Sequence, residues 1–210
     1  MPPTTVRLAE IVDLYDDRLL PWLRLYERAF PPAERVLVAS LLAAVKRRRR
    51  ALDQRLPEGE IMLAVLDGDE RFAGLMQYEC FSGGAAALWY FAVEPERRGQ
   101  GLGGLAYRRL LEVLAPLGVD ALVFEVEIPD EAPGEAARRL AERRIAFYRR
   151  LGARLLRGAD HLQTVDDAIP PLPMHVMVQP LRPLDAEESY ARARIALGES
   201  VSRRGALALE

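Results

Sequence analysis

Residues 93–104, "VEPERRGQGLGG", constrain this chain more than any other stretch, because four glycines fall within the six positions 99–104. Glycine takes backbone conformations closed to other residues and lets a ligand approach the main chain without meeting a Cβ. The glycines read in two ways. Gly99, Gly101 and Gly104 give the G-x-G-x-x-G of a dinucleotide-binding turn. Arg98, Gly101 and Gly103 give R-x-x-G-x-G, a different phosphate cradle. Both readings need a strand before the turn and a helix after it. "AALWYFAV" supplies the strand, and Leu110, Leu111, Leu114 and Leu117 fall at helical spacing, with Gly118 closing the helix.

The remaining elements separate the two readings. A dinucleotide turn sets its first glycine directly after the strand, whereas residues 94–98 intervene here. Glu125 and Glu127 lie roughly twenty positions on, where such a site wants a ribose carboxylate. Yet that site also calls for several more βαβ units. After the turn and its helix the chain offers one strand at 119–128, a loop, and one helix at 135–152 with Leu140, Ile145, Tyr148 and Leu151 aligned. Two late strands come next, at 153–156 and 174–181, separated by the proline-rich 169–173. Much of the sheet precedes the turn: a short strand at 4–11 and a hairpin over 61–81 around Asp67-Gly68-Asp69. Between them lie a helix with Leu19, Leu23, Tyr26 and Phe30 on one side, ended by Pro31-Pro32, and a second helix at 33–52. Asp185 and Glu188 form a capping box that opens a last helix, and the tail "SRRGALALE" reads as frayed.

The cradle reading therefore prevails. The first amides of a helix have no partners within it, and the positive end of the helix dipole stands behind them. With Arg98 adding charge, the turn suits a pyrophosphate. Bulk properties fit a cytoplasmic enzyme-sized chain. It has 210 residues, a net charge of −2 and a single cysteine, Cys80, so no internal disulfide exists. The basic run "KRRRR" at 46–50 points all around a helix axis and makes no nucleic-acid stripe. "AAALWYFAV" is too short to span a bilayer, and the first ten residues lack a signal-peptide pattern.

"FAVEPERRGQGLGG" resembles the acetyl-CoA pyrophosphate signature of the GNAT superfamily of N-acetyltransferases. "LYERAFPPAER" is similar to the junction of that family's first two helices, and "IAFYRRLGARLL" to its late Tyr-x-x-x-Gly helix end, here Tyr148 and Gly152. The resemblance runs to about Leu181. It implies an α/β fold: a single GNAT-type domain at 1–181 with a mixed, mostly antiparallel central sheet, splayed central strands and flanking helices, with a C-terminal helical extension at 182–210. It implies that Phe91, Ala92 and Val93 pair through their backbone with the pantetheine arm, the amide near Val93 serving as oxyanion donor. Arg98, Gly99, Gln100, Gly101, Leu102 and Gly103 would hold the pyrophosphate. Tyr148 would be the acid for the leaving sulfur. Where many members carry an asparagine seven positions before that tyrosine, this chain has Ala141.

Direct attack of an amine on a thioester also needs a base. Strand alternation sets Glu125 and Glu127 on one face at the end of their strand, as a base or as a wall that attracts a cationic amine. Glu79 is a weaker candidate, His161 and His175 lie on late segments, and Cys80 reads as a small buried hydrophobe. The expected activity is acetyl-CoA-dependent N-acetyl transfer to a primary amine, on a small molecule or a peptide, with acetyl-CoA as co-substrate and no metal. A non-catalytic acyl-CoA-binding sensor is the alternative, and a nicotinamide-dependent enzyme a third. No nucleic-acid or membrane partner is expected; a homodimer stays open.

Overall fold

The computed structural model describes residues 5–53, 59–165 and 170–210. The first residue of the expected 4–11 strand and Ile169 of the proline-rich stretch lie outside the described residues. The chain forms two compact units. One comprises Met1–Cys80 and Leu88–Leu117, the other Phe81–Ala87 and Gly118–Glu210.

In the first unit, β1 (Val6–Glu10) pairs antiparallel with β2 (Glu60–Asp67), β2 with β3 (Phe72–Phe81), and β3 neighbours β4 (Ala85–Val93). Helix α1 (Leu19–Ala29) buries Leu19, Trp22, Leu25 and Tyr26. The stripe is thus rotated from the one expected, and Leu23 and Phe30 are its half-buried margin. The Trp22 indole donates to Leu63 O at 3.1 Å, which satisfies its one polar atom inside a core of Ile11, Leu41, Val45, Met62 and Leu75.

No helix starts at Ala33. Residues Pro32–Glu34 make one 3₁₀ turn, and α2 runs Val38–Asp53. Two buried tyrosines explain the delay. Tyr26 donates to Val36 O at 2.9 Å, while the Tyr90 hydroxyl accepts from Val36 N at 3.2 Å and donates to Glu34 O at 3.2 Å. Backbone groups that a helix would need are already spoken for. Helix α3 (Leu102–Leu114) buries Leu102, Ala106, Tyr107, Leu110 and Leu114. Leu117, expected on that face, is 59% exposed, because the helix gives way to a 3₁₀ turn at Ala115–Leu117.

In the second unit the first residues of β4 pair parallel with β5 (Ala121–Glu127), Ala85 opposite Ala121 and Ala87 opposite Val123. After α4 (Glu135–Arg150) come β6 (Arg154–Gln163) and β7 (Leu172–Pro180). β7 pairs antiparallel with both β5 and β6. The α4 stripe is Ala141, Ile145 and Tyr148, one position off the expected Leu140, which is 53% exposed. The capping box at Asp185 and Glu188 opens α5 (Ala186–Leu197) as expected.

The frayed tail is a correction. Val201–Leu209 form β8, antiparallel to β6, with Val201 opposite His161 and Leu209 opposite Leu156. Val201 alone is buried along it, and an edge strand with a single buried residue shows little apolar-polar alternation. The whole is α/β, with a mixed, mostly antiparallel sheet and helices, as expected. No helix among the described residues is long and apolar enough to cross a membrane.

Candidate active site

The glycine turn begins where β4 ends. Glu94 N donates to Ala73 O at 2.9 Å, and a 3₁₀ turn at Pro95–Arg97 lifts the chain off the sheet. Arg97 fixes this turn by pairing with the buried Asp67 at the end of β2. Burial alone would raise the Asp67 carboxyl, but hydrogen bonds from Arg71 N–H, Arg97 and Asp69 N–H hold it below its usual range. Arg98 Nε donates to Val93 O at 3.1 Å and Gln100 Nε2 to Glu96 O at 3.3 Å, so both side chains also shape the loop.

Gly99 and Gly101 stand at φ 76° and 79°, the left-handed region that side chains with a Cβ avoid. A Cβ built at either meets no atom within 4 Å. The glycines are therefore demanded by backbone conformation, and the space beside them is open. Gly101 is the residue before α3, and among the described residues no side chain caps the helix. The first amide with an intrahelical partner is Leu105, bonded to Gly101 O at 3.2 Å. The amides of Leu102, Gly103 and Gly104 are the ones a helix start leaves over. The Leu102 side chain is buried, so its amide is what it offers outward. This cradle fits a pyrophosphate: anion-seeking main chain, left-handed glycines and room for close approach.

Phe91, Ala92 and Val93 are half-buried at the end of β4, beyond the three residues that pair with β5. Phe91 stacks on Tyr107 of α3 with ring centroids 6.5 Å apart. Its side chain is thus committed to packing, and main-chain groups are what this strand end can give a ligand.

The second unit carries the other expected residues. Tyr148 sits in the last turn of α4, 7% exposed, its ring 4.4 Å from Phe124 and 5.0 Å from Phe147. Burial pushes its phenol well above the ordinary value; Arg144 opposes and Glu127 reinforces that shift. The phenol keeps its proton, which a general acid requires. Gly152, at φ 101°, ends the helix, with its N–H bonded to Arg149 O at 3.1 Å.

Glu125 and Glu127 do not form a shared acidic wall. Glu127 pairs with Arg144 of α4. Glu125 meets His161 Nε2 through Oε1 and accepts from Gln163 Nε2 through Oε2 at 2.7 Å. Alternation along β5 sets the two side by side, and the partners come from segments 17 to 38 residues away that no local pattern announces. Gln163 is the residue that sequence reasoning misses, and His161, noted there only for its place on a late segment, gains its part from the contact with Glu125. A strand ending at Leu156 is expected there, and β6 continues to Gln163. Glu79 lies in the first unit and accepts from the Trp89 indole at 3.4 Å. Cys80 is half-buried, and burial pushes its thiol up. Among the described residues, no group of three or more His, Cys, Asp or Glu is placed to hold a metal ion.

Comparison with known proteins agrees with the fold. A search of the curated proteins finds no match. Among solved structures, a protein from Bacteroides thetaiotaomicron assigned to the GNAT family as an acetyltransferase matches with TM-score 0.65 and 27% identity, over 91% of this chain and 98% of that one. The fold is shared with the spermidine/spermine N-acetyltransferase of Vibrio cholerae, at TM-score 0.54, 13% identity and coverage of 84% and 93%. It is shared too with an IAA acetyltransferase of Bacillus cereus, at TM-score 0.53, 13% identity and coverage of 84% and 99%. The family model for the acetyltransferase (GNAT) family matches residues 19–153, which include the cradle, β5 and the Tyr148–Gly152 helix end. The chain belongs to the GNAT acetyltransferase family.

Proposed function

We propose that this protein is an acetyl-CoA-dependent N-acetyltransferase that moves an acetyl group to a primary amine by direct attack in a ternary complex. The observation that carries the reading is the cradle: left-handed Gly99 and Gly101 with open space beside them, at an uncapped helix start.

In this reading the amides of residues 99–104, with Arg98 and Gln100 shaping the loop, hold the pyrophosphate of the co-substrate. The backbone of Phe91, Ala92 and Val93 takes the pantetheine arm as a strand edge takes a peptide. The amide near Val93 faces the oxygen that gains charge as the tetrahedral intermediate forms. Glu125 or Glu127 receives a proton from the amine, and the Tyr148 phenol gives one to the departing sulfur. The amine nitrogen gains the acyl bond, the thioester bond breaks, and the thiol leaves.

Calorimetry with acetyl-CoA, CoA, NAD and NADP tests the binding half, and thiol detection across a panel of amines tests the chemistry. Acetyl-CoA is expected to bind and NAD is not. Binding of acetyl-CoA without thiol release for any amine would leave an acyl-CoA sensor as the better account.

A further inference from the structure

We propose that Glu125, rather than Glu127, is the carboxylate that receives the acceptor's ammonium group, and that His161 and Gln163 are positioning residues that hold it there. The inference rests on the acetyltransferase reading and names, within it, the group that meets the second substrate.

The two glutamates are two positions apart on β5, yet they meet opposite chemistry. Glu127 faces a guanidinium, a cation at every physiological pH, so its charge is compensated even though its Oε2 is buried without a hydrogen-bond partner among the described residues. Glu125 faces an imidazole and an amide. Which form the imidazole takes decides the charge of the cluster. The His161 side chain is 2% exposed, and its Nδ1 is buried without a hydrogen-bond partner among the described residues. An imidazolium would strand an N–H at Nδ1, which is costly in the interior, whereas a neutral ring leaves only a lone pair there. The ring that fits is neutral, with its hydrogen on Nε2, donated to Glu125.

Glu125 is then an anion held by two neutral donors, with no Lys or Arg paired to it among the described residues. Its side chain is 13% exposed, so bulk water does little to solvate it. Val176, opposite it on β7, and Met174, opposite His161, are buried apolar neighbours that keep the local dielectric low. A charge in that setting seeks a cation. A second buried acceptor stands in the same cluster: Gln163 Oε1, on the amide that holds Glu125, has no partner among the described residues. The unmet demand is therefore for N–H donors carrying positive charge, and a primary ammonium supplies three. When Glu125 takes one of those protons, an N–H bond breaks, an O–H bond forms, and the pair left on nitrogen is the nucleophile. The cluster changes from an anion to a neutral acid, and the two hydrogen bonds fix which oxygen lone pairs remain open to the amine.

The experiment screens phenethylamine, putrescine and a short peptide with a free N-terminus for thiol release, then assays variants on the amine with the highest rate. Glu125→Gln, nearly isosteric, is expected to lower kcat/KM on the order of 10²-fold, while acetyl-CoA affinity by calorimetry stays within about threefold. Its loss should exceed that of Glu127→Gln by at least about tenfold. His161→Leu should raise the amine KM about tenfold, and His161→Gln, which keeps an N–H donor, should restore most of it. If His161→Leu does not fold, the Glu125→Gln and His161→Gln pair decides. Glu125→Gln within about twofold of wild type, or Glu127→Gln losing as much, overturns the inference alone. No thiol release with any amine, or no acetyl-CoA binding, overturns the acetyltransferase reading and this inference with it.

Discussion

The cradle at the start of α3 and the acidic cluster on β5 and β6 are built by opposite means. The cradle is main chain: two left-handed glycines, three leftover amides and a helix dipole, all within six consecutive residues. The cluster is side chain: a carboxylate, an imidazole and an amide from segments up to 38 residues apart. A main-chain site tolerates change at every side chain that does not reshape the loop, and fails abruptly where it does. A side-chain site fails one interaction at a time. That difference sets the kind of substitution that breaks each.

The largest effect is expected at Gly101. A valine there must hold φ near 79° with a branched Cβ, at a cost of about 1–2 kcal/mol in stability, and its methyls project into the space left for a ligand. Acetyl-CoA affinity of Gly101→Val should fall on the order of 10²-fold by calorimetry. Gly101→Asn sharpens the point, because asparagine accepts the left-handed region. If Asn binds like wild type and Val does not, conformation is what the glycine supplies. If both lose affinity alike, open space is.

Tyr148 tests the side-chain half. Tyr148→Phe keeps the packing on Phe124 and removes the hydroxyl, so kcat should fall on the order of 10²-fold with acetyl-CoA affinity unchanged. Because burial holds the phenol protonated, no alkaline fall in kcat up to about pH 10 should trace to it. A fall that is present in wild type and missing in Tyr148→Phe would show that the phenol ionises within that range. A smaller effect belongs to Ala141, the position at which the sequence departs from the family pattern it resembles. It is 1% exposed, and Ala141→Asn would bury an amide at a cost of about 1–3 kcal/mol unless a partner is at hand. Chemical denaturation reads it, and an unchanged midpoint would mean that a polar partner for the amide is at hand.

The same contrast governs what is legible in the sequence. The cradle is readable because its meaning is local: spacing of glycines, a strand before, a helix after. So are the helix stop at Pro31-Pro32 and the capping box at Asp185, each a few-residue device. The α2 start escapes such reading because Tyr90, 54 residues from Val36, occupies its amide. Pairing with β6 makes β8 a strand although its own alternation is weak. Glu125 and Glu127 are legible as two carboxylates on one strand but not as a compensated and an uncompensated one. That distinction depends on Arg144 and His161, and neither is placed by periodicity.

The smallest expected effect lies at the other end of β5, where a carboxylate has what Glu125 lacks. Asp120 pairs with Arg182 at 2.8 Å and with Arg192 at 2.6 Å, tying the start of β5 to α5 and the segment before it. Hydrogen bonds from Arg182 first, then Arg192, lower its carboxyl to about 2. The unfolded value is near 3.9, so folding favours the ionised form. The stabilisation is fully present above about pH 4 and is lost as pH falls from there toward 2. Asp120→Asn should therefore lower Tm at pH 7, by no more than about 2–4 °C because the group is partly exposed and screened by salt. The gap to wild type should narrow as pH falls from about 4 toward 2, and it should narrow also in concentrated salt at pH 7. A gap that stays constant across pH would mean that the titrating charge of Asp120 is not what stabilises this end of β5.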